Sequence, residues 1–112
     1  MEEERRTAGK KDRVFGMIVK MHKAEGRKIT SICDEDVIGK KFEDGFLQLD
    51  VSEFFYKGEN LSEEETLKAA RNTDSLNIVG KNSIEFALKN KLICEENIVR
   101  IKKIPHAIAI LK

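Results

Sequence analysis

The sequence predicts an α+β domain: a small mixed or mostly antiparallel sheet carrying two main helices. Three observations lead there. Alternating or β-branched apolar runs recur along the chain, two segments open with helix-capping patterns, and 112 residues suffice for one core but not for two. At 40% hydrophobic and 37% charged residues, the chain is too apolar to be wholly disordered. The expected order is ββ, short turn, β, α, β, α, β, β. Residues 1–13 are expected as a disordered N-terminal tail and residues 14–112 as a single globular domain.

The tail comes first. Glu2, Glu3, Glu4, Arg5, Arg6, Lys10, Lys11, Asp12 and Arg13 follow Met1 with no large apolar residue among them. Such a segment cannot bury enough surface to offset the entropy of ordering it. Either translation starts at Met17 or the tail is an extension. Phe15–Met21 then alternates Phe15, Met17, Val19 and Met21 on one side, the period of a half-buried strand. Lys23–Arg27 holds Gly26, suited to the positive φ of a hairpin turn, and Ile29–Cys33 is the β-branched partner strand.

Asp34–Gly39 reads as one helical turn, with Asp34 as its cap, Glu35 and Asp36 at its positive end and Gly39 as its exit. Phe46–Val51 is a strand with Leu47, Leu49 and Val51 on one face. Phe54-Phe55-Tyr56 is the densest aromatic cluster and reads as extended, which puts Phe54 and Tyr56 on one side and Phe55 on the other. Ser62-Glu63-Glu64-Glu65 is a capping box opening a helix to about Asn72, with Leu67 and Ala70 inward. Leu76–Gly80 is a short strand. Asn82 with Glu85 repeats the cap pattern before a helix carrying Ile84, Ala87 and Leu88, with Asn90 at its left-handed exit. Ile98–Ile101 and Ala107–Leu111 close the chain as strands, with Pro105 as a break between them.

Four stretches carry a resemblance. Cys33–Phe42 (CDEDVIGKKF), Leu49–Gly58 (LDVSEFFYKG), Asn77–Ser83 (NIVGKNS) and Ile104–Ala107 (IPHA) stand in the same order as in the archaeal domain-of-unknown-function family 424, which the chain resembles from Met17 to Leu111. Two departures are the tail and the Asn90-Lys91 position, where the family's pattern favours Gly after the helix. The resemblance implies a compact archaeal cytoplasmic protein with no assigned reaction, loosely associated with translation and RNA metabolism.

The residues themselves offer several sites, each with a plainer alternative. Gly80-Lys81 at a helix start brings N–H groups, the helix dipole and an ammonium to an anion such as an RNA phosphate, or it is only a tight strand-to-helix turn. The GxxxxGK[ST] spacing of a P-loop is absent. Lys40 and Lys41 beside Phe42 can touch a phosphate and stack a base, or are solvated lysines beside a core ring. Phe55 and Tyr56 can present a platform to a base or to a partner protein, or both faces are buried. Arg100, Lys102, Lys103 and His106 form the most basic stretch, with Arg100 and Lys102 on the side of His106 if extended. They offer an RNA-backbone contact or guard a sheet edge. Cys33 and His106 are the weak candidates for nucleophilic catalysis, against a buried thiol and a turn histidine.

The leading expectation is therefore a non-catalytic RNA- or ribonucleoprotein-binding module of translation. A protein–protein adaptor using residues 54–56 and a small Cys/His-dependent hydrolase or transferase are the alternatives. Two separated cysteines make neither a CxxC pair nor a zinc site, so no metal or cofactor is expected. The polar N-terminus shows no signal peptide and no apolar run could span a bilayer, so a cytoplasmic protein with reduced thiols and no membrane partner is expected. The net charge of +1 excludes a uniformly basic coat for nucleic acid. It hides a segregation, however. Residues 17–78 hold nine basic and thirteen acidic groups, whereas residues 79–112 hold seven and three.

Overall fold

The computed structural model describes residues 17–111. The expected tail, and Phe15 of the first strand, lie outside them. Among the described residues eight strands and three helices form in the order β1 (Met17–Ala24), β2 (Arg27–Cys33), β3 (Lys41–Asp44), β4 (Leu47–Asp50), α1 (Glu53–Tyr56), β5 (Glu59–Leu61), α2 (Glu63–Arg71), β6 (Ser75–Val79), α3 (Lys81–Lys89), β7 (Ile98–Ile101) and β8 (Ile104–Ile110). The main sheet is mixed, with strands ordered β5-β1-β2-β6-β8-β7, and β3 pairs with β4 in a separate hairpin. Only β2 and β6 run parallel; the other neighbours in the main sheet are antiparallel. This is the α+β class the sequence predicts. No helix among the described residues is long and apolar enough to cross a membrane.

The pairing register sorts the side chains onto two faces. Val19, Ile32, Ile78 and Ala107 line one face with Leu76 and Ala109. They pack under α2 and α3 against Ala70, Ile84, Phe86 and Ala87 to make the larger core. Both helices behave as amphipathic helices should, turning a stripe of apolar residues to the sheet. The other face carries the row Ile18, Cys33, Val79, His106, Val99 and the row Lys20, Ser31, Asn77, Ile108. It is covered in part by α1 and by the β3–β4 hairpin, whose Leu49 and Phe42 join Val37, Val51, Tyr56 and Ile101 in a smaller core.

The local signals mostly act as read. Glu25 and Gly26 both take positive φ (54° and 79°) in the two-residue β1–β2 turn, the twist that a tight hairpin favours. Ser62 and Glu65 close the capping box of α2 from both sides. Five expectations are corrected. β3 and β5 were not expected, being short and polar strands that depend on their pairing. Phe54–Tyr56 is helical rather than extended, because Ser52 caps the turn by accepting from the Phe55 N–H at 3.2 Å. Pro105 lies within β8 instead of breaking the chain. Its carbonyl accepts from Gly80 N at 2.9 Å. Its missing N–H points the same way, beyond the last β6 residue, so no ladder bond is lost. The turn falls instead at Lys102-Lys103, with φ of 53° and 69°. The left-handed residue after α3 is Lys91 (φ 60°) rather than Asn90.

Candidate functional site

The ends of the two parallel strands meet the start of α3 and the Lys102-Lys103 turn. A cavity of about 220 Å³ opens there, lined among others by Asp34, Asp36, Lys81, Asn82 and Lys103. Crevices beyond the carboxyl ends of parallel strands are common ligand sites, so this is where the expected Gly80-Lys81 anion site would act. Its chemistry is already engaged from within. Asp34 Oδ2 accepts from Asn82 N at 2.9 Å, and Asp34 Oδ1 accepts from Ser83 N at 2.8 Å and from Ser83 Oγ at 2.6 Å. The carboxylate thus caps α3, the helix of a distant strand end, and not the turn that begins beside it, where it makes no side-chain cap bond. Asn82, expected as the cap of α3, is inside the helix, and the N-cap is Gly80. Gly80 takes φ 111°, and a Cβ there would stand 2.4 Å from Asp34 Cγ. Glycine is required both for the backbone and for the approach of the carboxylate. The other charged groups that line the cavity are the ammoniums of Lys81 and Lys103 and the carboxylate of Asp36.

The other expected site residues are dispersed. Lys40 and Lys41 are exposed and do not line this cavity; Lys41 opens β3 opposite Asp50. Arg100 pairs with Glu95 at 4.0 Å. Arg100 lies opposite Pro105 in the ladder whereas Val99 lies opposite His106, so Arg100 and His106 occupy opposite faces. Lys102 sits in the turn, so the three do not share a side.

Cys33 and His106 share a row, but Val79 stands between them. The buried Cys33 thiol donates to Asp34 O at 3.2 Å. Burial, reinforced by the charges of Asp34 and Asp36, pushes its pKa up to about 12. It is protonated at neutral pH, the opposite of what a nucleophilic thiolate needs. His106, whose pKa burial lowers, donates through Nε2 to Asn77 Oδ1 at 3.3 Å. The same amide oxygen accepts from Tyr56 OH at 3.3 Å. Among the described residues no group of three or more His, Cys, Asp or Glu is placed to hold a metal ion.

The aromatic segment turns inward. Tyr56 is buried, its pKa raised to about 12 chiefly by that burial. Phe55 stacks on His22 with centroids 4.3 Å apart and meets Tyr56 edge-on. The Phe55 carbonyl accepts from His22 Nε2 at 2.9 Å and from Ser31 Oγ at 3.0 Å. The exposed ring is Phe54, with Lys20 Nζ 5.1 Å over it. Of the residues expected to meet a partner, Phe55 and Tyr56 instead hold α1 to the sheet.

One surface is absent from the sequence reading. Beyond the cover of α1, the outward sheet face presents Val99, Ile108 and Ile110, which are 47%, 52% and 69% exposed. On β8 the small residues Ala107 and Ala109 face the helices while the large Ile108 and Ile110 face out. The signal in the sequence is the strict Ala-Ile-Ala-Ile alternation, in which the two side chains suited to lie under packed helices are the alanines.

Fold and site together define a small α+β domain with a filled helix cap, a protonated buried thiol and one bare apolar sheet face. The chain belongs to the family described as protein of unknown function (DUF424), whose model matches residues 22–111. It also resembles the crystal structure of an uncharacterized conserved protein from Methanopyrus kandleri, at 18% identity and a TM-score of 0.69. The match covers 87% of this chain and 94% of that one, and shows a shared fold. No curated protein matches the sequence.

Proposed function

We propose that the protein is a non-catalytic binding module whose working surface is the open sheet face of β8 and β7, and that it takes a protein partner. The observation that carries this reading is the orientation of β8. A two-sided strand in a protein that keeps to itself places its large aliphatic side chains inward and its small or polar ones outward. Here the order is reversed. Val99, Ile108 and Ile110 have no aromatic ring among them for stacking a base, and no lysine or arginine stands in their rows on β6, β7 or β8. The surface therefore suits an apolar protein face better than a nucleic acid.

The test compares capture of partner proteins from an archaeal lysate by the immobilised chain and by an Ile108→Lys, Ile110→Lys chain. Specific partners should be lost from the double variant. Equal retention of every partner would sink the reading.

A second reading, binding to RNA of the translation apparatus, is favoured by the meeting of Lys81 and Lys103 at one cavity beside Lys102. Binding of tRNA or ribosomal RNA, followed by fluorescence anisotropy, should then weaken steeply with salt. It should also fall on Lys102→Glu, Lys103→Glu substitution. The absence of binding to both RNAs at low salt would remove it.

A further inference from the structure

The partner of the open face can be narrowed, on the footing that the face is a docking surface. Ile108 lies at its centre, opposite Asn77 on β6 and between the rows of Val99 and Ile110. On β6 and β8 the other outward residues beside the patch are Ser75, Asn77 and His106, so its margin on these strands is polar without a formal charge, and the ammonium in its rows, Lys20 on β1, is held over Phe54. A foreign partner selected by charge would find no counter-charge in these rows on β6, β7 or β8. A copy of the same face needs none, because an apolar patch facing itself across a two-fold axis is matched by construction.

The area agrees. The partly exposed Val99, Ile108 and Ile110, with half-buried Ile29 in the same rows, offer on the order of 350 Å² of apolar surface, within the range of the largest patch on an ordinary monomer. Interfaces are about 60% apolar. Burying this patch against its equal then corresponds to roughly 1,200 Å² in total, the lower bound for a stable specific interface.

We infer that the open face of β8 and β7 joins two copies of this chain into a symmetric dimer, with Ile108 close to the two-fold axis. The sheets stack face to face, as in a sandwich. The arrangement hides the three aliphatic side chains and leaves the Lys81–Lys103 cavity of each copy outside the interface.

Sedimentation equilibrium of the full chain from low to high micromolar concentration tests this. The expected mass is twice the 12.8 kDa of the chain, falling to the single-chain mass in Ile108→Lys and in Ile110→Lys. Both positions point out of the fold, and circular dichroism of each variant reports whether it remains folded. Should a lysine variant not fold, Ile108→Cys in a Cys94→Ser background serves instead. On mild oxidation with diamide it should form a disulfide-linked dimer in high yield, and its failure to do so counts against the axis. A wild-type chain of single mass throughout overturns the inference, as does a dimer that persists in both lysine variants. The two failures are separable. A monomeric chain that loses a foreign partner on Ile108→Lys refutes the second copy and leaves the docking reading standing. A monomeric chain whose partners ignore the substitution refutes both.

Discussion

Under α1 the outward face of the sheet is polar and covered; past β6 the same face is apolar and bare. Ser31, Asn77 and His22 lie beneath or beside α1, and each has a hydrogen-bond partner within the chain. Ile108, Ile110 and Val99 lie on β8 and β7, past β6, and about half or more of each is in water. The contrast shows that burial in this protein follows available partners rather than residue polarity. A buried polar group is tolerated when its bonds are made, and the carbonyl of Phe55 and the amide of Asn77 make them. Aliphatic residues in the open half have no counterpart within the described chain.

The largest change should come from dislodging the cover. Gly58 carries the chain from α1 to β5, and a Cβ there would stand 2.1 Å from Val19 O. The backbone of β1 cannot yield cheaply, so Gly58→Ala should cost about 3 kcal/mol or more, read from urea unfolding. A loss under about 1 kcal/mol would mean that the cover is not held by this passage.

Asp34→Ala should cost about 2 to 3 kcal/mol, because it strips a buried charge-assisted cap from α3 and leaves Asn82 and Ser83 N–H groups unmet. It also sharpens the account of the filled site. Added phosphate should raise the melting temperature of this variant and leave the wild type unchanged. An equal rise in both would show that the wild-type cavity takes an anion despite its own carboxylate.

The covered half should also show in the pH profile. The folded His106 resists protonation, while the unfolded residue takes a proton near its ordinary 6.5. Falling pH therefore favours the unfolded chain, and stability should drop below about pH 6.5. For Cys33 the unfolded thiol ionises near 9.0, while the folded one holds its proton to about 12. The stability it contributes is whole below pH 9.0 and is lost as pH rises toward 12. Chemical denaturation across pH should show both limbs. His106→Gln should flatten the acid limb and Cys33→Ala the alkaline one; unchanged limbs in these variants would assign the titrations elsewhere.

The smallest effect is expected in the open half. Ile110→Ser should alter the stability of the single chain by no more than about 0.5 kcal/mol, when measured at a dilution that keeps copies apart. A substantial loss there would mean that Ile110 packs within its own fold and that the two halves are not different in kind.

Much of this fold was legible because its signals are local. The β1–β2 hairpin follows from β-branched runs around Gly26, and α2 from Ser62 and Glu65 three positions apart. The site was less so, because its decisive contacts are distant. Asp34 stands as the natural cap of its own turn, and only the parallel docking of β2 on β6 hands it to α3. Similarly, alternation along β8 assigns residues to two faces but does not say which face the helices will take. The aromatic segment was misplaced for a third reason: one residue, Ser52, suffices to wind a single helical turn that periodicity over three residues cannot detect.

The lone parallel pairing has a kinetic consequence. The β1–β2 and β7–β8 hairpins close through two-residue turns and can form within microseconds, each on its own. Ile29–Cys33 must find Ser75–Val79 across the whole intervening chain, and neither hairpin shares a core with the other until it does. The joining of β2 to β6 is thus the long loop closure on which the folding rate rests. Until it is complete, Asp34 has no helix to hold and each hairpin presents an unpaired edge.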